Sequence, residues 1–154
     1  LGIAKTFNEA LYKAFEGAGI RLPKYKKMIM TIRKNEQEEA VDIARRFANV
    51  GYQIFATKEL QDLNEHGVKA FEIRKLEQES PNILDLVLGH QIDDHRYPGT
   101  GAERSHDGFV IRRNAIETGV NVLTALDTAR ALVTSLENRA KELTLVDIAT
   151  VKNA

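Results

Sequence analysis

A chain of 154 residues is one domain's worth, and with 43% hydrophobic and 29% charged residues its composition is that of an ordinary globular protein. Lys plus Arg equals Asp plus Glu at 22 each, so no excess charge points to nucleic acid or to a membrane surface. The absence of cysteine excludes disulfides, thiolate metal sites and a cysteine nucleophile, and no apolar run approaches the roughly 18 residues of a membrane span.

The expectation is a cytoplasmic protein without a signal peptide. A start at Leu1 that runs straight into a helix suggests a piece of a longer polypeptide. Thr6 and Glu9 stand at capping-box spacing, and Phe7, Leu11, Ala14, Phe15 and Ala18 then make one apolar helix face that stops at Gly19. Arg21 to Lys27, with Pro23, reads as a linker, so residues 1–25 form a helix and linker ahead of a domain over 26–154.

Met28 to Ile32 is a short apolar run that reads as a buried strand. Asn35 with Glu38 has the spacing of a helix start, Ala40, Val41, Ala44, Phe47 and Ala48 follow at helical spacing, and Gly51 supplies the stop. Tyr52 to Thr57 is a second strand. A helix between two strands implies a parallel pair with a right-handed crossover. Leu60 and Leu63 belong to a short helix ended at Gly67, and Val68 to Ile73 alternates as a third strand. Ser80-Pro81 reads as a helix start, and Ile83 to Leu88 follows before Gly89. Phe109 to Thr118 is a helix closed by Gly119, Val120 to Thr124 a strand, and Thr124 with Asp127 the cap of the last helix. Leu143 to Ile148 reads as extended. The alternation requires one more strand between Gly89 and Asp107, yet Asp93, Asp94, His95 and Arg96 are not the apolar run of a buried parallel strand.

In an open parallel sheet, ligands bind beyond the carboxyl ends of the strands, where helix N-termini expose unpaired amides. Thr31, Arg33 and Lys34 follow the first strand, Thr57 and Lys58 the second, Arg74 and Lys75 the third, and Thr124 the last. Hydroxyls and cations on one edge suit a phosphate, although threonines also end strands and lysines also simply face water. His90, Asp93, Asp94, His95 and His106 match no metal spacing, and a polar loop would contain the same residues. Arg112-Arg113 fits either an anion clamp or surface and ion-pair roles. No glycine-rich phosphate loop, serine elbow or paired-carboxylate spacing is present, so no catalytic residue is assigned.

The runs TFNEALYKAF, GYQIFATKEL, SPNILDLV, DGFVIRRNAIETGV and LDTARAL together resemble the C-terminal regulatory domain of the large subunit of carbamoyl-phosphate synthase. The resemblance covers nearly the whole chain. It implies a methylglyoxal-synthase-like, Rossmann-like α/β fold of three layers, with a five-stranded parallel sheet and helices on both faces. It also implies a regulatory pocket for a nucleotide monophosphate, usually UMP, with IMP or ornithine in some relatives. Thr31 matches the hydroxyl residue that ends the first strand, Thr57 opens the phosphate-binding turn, and Lys75 matches the lysine after the third strand. Arg33 and Lys58 are the further cations expected at that pocket.

The turn here is Thr57-Lys58-Glu59-Leu60 in place of T-x-G-T, and Val122-Leu123-Thr124 stands where ornithine-responsive relatives carry Tyr-Asp-Thr. The implied function is allosteric control of a glutamine-hydrolysing, ATP-dependent ligase serving pyrimidine or arginine synthesis. No cofactor is implied for this domain itself; ATP, Mg2+ and K+ or Mn2+ belong to the parent enzyme. The implied partners are the rest of the large subunit, the glutaminase small subunit, the nucleotide effector and a second copy of the domain, with no nucleic acid and no membrane. Two alternatives are a structural, oligomer-forming domain that has lost its effector, and methylglyoxal synthase itself.

Overall fold

The computed structural model describes residues 2–20, 25–31, 36–57, 62–74, 80, 82–89, 94–96 and 106–138. The first helix, α1 (Phe7–Gly17), begins where the Thr6 hydroxyl accepts a hydrogen bond from the Glu9 amide. The chain before it folds back closely: a β-carbon at Gly2 would lie 1.9 Å from the carbonyl oxygen of Ala10, so no other residue fits there. Strand β1 (Lys27–Met30) then leads to α2 (Gln37–Asn49) and β2 (Gln53–Ala56). Gly51, with φ of +95°, makes the left-handed turn between α2 and β2. Lys26 is also left-handed, at φ of +51°, and is held there from both ends. Its ammonium donates to the Val50 carbonyl at the end of α2, and its own carbonyl accepts from the Gln53 amide.

The chain continues through α3 (Asp62–Glu65), β3 (Ala70–Glu72), α4 (Ile83–Leu88), β4 (Asp94–Arg96), α5 (His106–Thr118), β5 (Asn121–Leu123) and α6 (Leu126–Glu137). The strands form one sheet in the order β3-β2-β1-β4-β5, parallel throughout, with β1 in the middle. Helices cover both faces. Met28 and Met30 point to one side, where α2, α3 and α6 bring Ala40, Ile43, Ala44, Phe47, Leu63, Ala129 and Val133. Ile29 points to the other, meeting Ile83 and Val87 of α4 and Ile111 and Ala115 of α5. The side-to-side alternation of a strand thus assigns neighbouring residues of β1 to separate apolar layers. On the first face two ion pairs join α2 to α6: Arg130 with Glu39, and Arg46 with Glu137 at 2.6 Å. Helix α1 packs on the outside of α6.

Two of the expected helix starts, at Ser80 and at Thr124, are corrected. Helix α4 is capped by Asn82, not Ser80: the Asn82 side chain accepts from the amides of Leu84 and Asp85, and the Asp85 carboxylate accepts from the Asn82 amide in return. Ser80 instead donates its hydroxyl to Asp85 at 2.8 Å. These two bonds, the Asn82 amide first and the Ser80 hydroxyl second, hold the Asp85 carboxyl below the ordinary carboxylate range. Helix α6 begins after Ala125 rather than Thr124, and α2 after Glu36; neither has a side-chain cap. Asn35 lies outside the described residues, as do Pro81, Leu60 and the segment from Leu143 to Ile148. The strand required between Gly89 and Asp107 is β4, whose residues Asp94, His95 and Arg96 pair with Met28, Ile29 and Met30 of β1 on one side and with β5 on the other.

Candidate functional site at the carboxyl edge

Register places the site. Met30 of β1 pairs with Ala56 of β2, so Thr31 and Thr57 are the first residues beyond the two strands and lie side by side. Adjacent strands sit about 4.8 Å apart, which fixes the spacing of these two residues to that order. Ala56 in turn pairs with Glu72, and Arg96 with Leu123, so Ile73 and Thr124 occupy the same row at its two ends. Three of the five strands therefore end in threonine at one edge of the sheet.

The hydroxyls of Thr31 and Thr57 are buried, and neither meets a hydrogen-bond partner among the described residues. Thr57 as a whole is only 2% exposed. A buried hydroxyl without a partner costs about 1–3 kcal/mol, and here two such hydroxyls stand on neighbouring strands at one edge of the sheet. Thr124, at the end of β5, is exposed.

Both α2 and α6 begin at this edge without a side-chain cap, and their positive dipole ends face the same region. The described cations here are engaged. Arg74, just beyond β3, donates to the Ser80 carbonyl at 3.2 Å, and Arg130 is shared between Glu39 and Asp127. Arg33, Lys58 and Lys75, the cations expected at this edge, lie outside the described residues, as does Glu59. The Arg130–Glu39 pair joins the N-terminal parts of α2 and α6 at the site's margin. Nothing in the sequence signals it, because its partners are 91 positions apart.

Arg113 pairs with Glu117 along its own helix, and both are largely exposed. Among the described residues no cluster of histidine and carboxylate groups could hold a metal ion; His90 and Asp93 lie outside them. No helix among the described residues is long and apolar enough to cross a membrane. At the opposite end of the sheet, a hydrogen bond from Arg46 holds the Glu137 carboxyl below the ordinary range, against a smaller opposing effect of burial.

The sequence profile of the MGS-like domain matches residues 39–124, from the first turn of α2 to the end of β5. The chain is 57% identical over 157 aligned residues to the carbamoyl phosphate synthase large chain of Agathobacter rectalis, an alignment covering 99% of this chain and 15% of that one. It is 59% identical to the large chain of Lachnoclostridium phytofermentans, over 98% of this chain and 14% of that one. The large chain of Clostridium botulinum strain Loch Maree is 40% identical over 94% of this chain. The sequence thus spans about one seventh of the relatives it matches. With a parallel sheet layered by helices, and a profile match running through four of its five strands, the chain belongs to the MGS-like domain family.

Proposed function

We propose that this chain is the allosteric domain of a carbamoyl phosphate synthase large chain and that it binds the phosphate of a nucleotide monophosphate such as UMP at its carboxyl sheet edge. The observation that carries the ligand reading is the pair of buried, unpartnered hydroxyls at Thr31 and Thr57. Phosphate oxygens would accept from both hydroxyls, while Arg33, Lys58 and Lys75 supply positive charge. The similarity to large chains over 99% of this sequence supports the assignment to that enzyme. On this reading the domain does no chemistry. A ligand that prefers one conformation of the parent synthetase shifts its balance by as much as that preference allows. The parent's supply of carbamoyl phosphate to pyrimidine or arginine synthesis is the process controlled, with the glutaminase small subunit as a further partner.

The turn Thr57-Lys58-Glu59-Leu60 offers one threonine where the family's phosphate turn has two, and it adds a carboxylate. Loss of one hydroxyl donor to a charged group costs about 1.5–3 kcal/mol, or roughly ten- to a hundredfold in affinity. UMP should therefore bind more weakly here than to an intact turn. The same turn favours a second reading, a structural domain that has lost its effector.

Calorimetric titration of UMP and IMP at fixed ionic strength separates the two. Thr57→Val should weaken binding at least tenfold, and Lys75→Ala should abolish it. Without ligand, Thr57→Val should raise stability by about 1 kcal/mol, because it removes a buried hydroxyl that has no partner. No binding by the unaltered chain would favour the structural reading, and tight UMP binding that survives Lys75→Ala would refute the proposed site. Methylglyoxal formation above the rate of a mutant control would reinstate the enzyme alternative.

A further inference from the structure

Strand β3 is an edge of the sheet that the described residues form, and the outward peptide groups of an edge strand are a template for another strand. Those groups alternate in direction along β3. The Ile73 amide donates to the Ala56 carbonyl of β2 at 2.9 Å, so Phe71 and Ile73 turn inward while Ala70, Glu72 and Arg74 turn outward. Two of these three outward positions are occupied. The Arg74 carbonyl accepts from the Ile83 amide at 2.9 Å, within a parallel bridge between Arg74 and Asn82. At Ala70 the partner is a side chain. The Ala70 amide donates to Asn64 Oδ1 at 3.1 Å, and Asn64 Nδ2 donates to the Ala70 carbonyl at 3.5 Å. A carboxamide offers the same acceptor and donor as the backbone of a neighbouring strand. Gly67, at φ of +76°, turns the chain so that Asn64 in α3 lies beside the start of β3.

We propose that Asn64 is an edge plug: its side chain fills the place of a sixth strand and keeps β3 from pairing with the β3 of a second copy. Identical edges meet about a two-fold axis and therefore run antiparallel. With Arg74 already bonded, the open register sets Ala70 opposite Glu72 of the second copy, and Phe71 opposite its own counterpart. Each pair of Ala70 with Glu72 would exchange both of its backbone bonds. Phe71, which is 40% exposed, would gain an aromatic partner across the axis. The edge is thus complementary to itself in backbone and in side chain. Ala70 takes part in both hydrogen-bonded pairs, so one carboxamide on it blocks them both. The inference is independent of any effector.

The test uses the intact natural polypeptide that carries this stretch, in three forms: unaltered, Asn64→Ala, and Asn64→Ala with Ala70→Pro. Asn64 is exposed, so its replacement leaves the core intact. Proline at position 70 removes the outward N–H and breaks no bond to β2. In dilute Asn64→Ala protein the Ala70 amide should exchange for deuterium at least tenfold faster than in the unaltered protein. As concentration rises this exchange should slow again, and the variant should sediment faster than the unaltered protein at the same concentration. The double variant should sediment as the unaltered protein does. Equal exchange, or equal sedimentation at every concentration, in Asn64→Ala and unaltered protein would overturn the inference and leave Asn64 as a turn contact. Association that persists in the double variant would overturn it too, by placing the contact on another surface.

Discussion

On the α2–α6 side of the sheet the apolar layer is deep, the outward side of α2 is polar, and ion pairs stitch helix to helix. On the α4–α5 side the layer is thinner, α4 is only six residues long, and phenylalanine and isoleucine face outward. The difference teaches that burial within one domain is not a uniform property of a sandwich of layers. The first side is the better covered, although Phe7 of α1 is 78% exposed there. The second leaves more of its apolar surface exposed, at Leu88, Phe109 and Ile116.

The largest expected effect is in the deep layer. Phe47 is fully buried and stacks edge-on against Tyr52 at 5.0 Å, and Phe47→Ala should cost about 3–5 kcal/mol in denaturant unfolding. Ile111→Ala on the thinner side should cost about 2–3 kcal/mol. Equal losses would break the distinction between the two faces.

A smaller effect lies in the stitching. Because the Glu137 carboxyl is held below its ordinary range by Arg46, the pair's contribution is present above the unfolded carboxylate pKa of about 4.3 and is lost as pH falls through the lower folded value. Arg46 is shifted the other way, upward, so its share is lost only at strongly alkaline pH. Glu137→Gln should cost no more than about 1 kcal/mol at pH 7, since both side chains are partly exposed. The difference from the unaltered chain should close near the acid limit of that window, and a gap that persists in acid would mean that packing, not charge, unites these helices. The smallest effect is expected at the outward face: Ile116→Ser should change stability by no more than about 0.5 kcal/mol. A loss comparable to that of Ile111→Ala would show that this face is already covered within the domain.

The helices and most strands were legible because period and punctuation agreed. Gly51 and Gly119 stop α2 and α5 with positive φ where the apolar rhythm ends. Helix starts were less legible, since several polar residues near one start can each offer a cap, and tertiary position decides among them. Ser80 and Asn82 both stand within reach of Asp85, and Asn82 takes the cap while Ser80 supports the carboxylate. β4 was found only by counting, because Asp-His-Arg in an inner strand contradicts the apolar pattern. At the site, Thr31 and Thr57 were legible as the residues that end two adjacent strands. Their lack of partners is a matter of packing and needs coordinates. The pair Glu39–Arg130 and the outward aromatic of α5 depend on which elements become neighbours, which residue spacing does not encode.

The contact of α1 with α6 has a consequence for how the domain is made. These helices are more than 100 residues apart in the chain, yet Phe15 of the first and Leu136 of the last pack against the same core. At about 5–20 residues per second of synthesis, α1 waits several seconds for its partner, whereas a helix itself forms in about a microsecond or less. Throughout that delay its apolar stripe is exposed on the ribosome, beside a sheet still missing its last strand. The contact that closes the domain joins the first of the described helices to the last, so a chaperone that shields α1 would act at the step where the unfinished domain is most prone to aggregate.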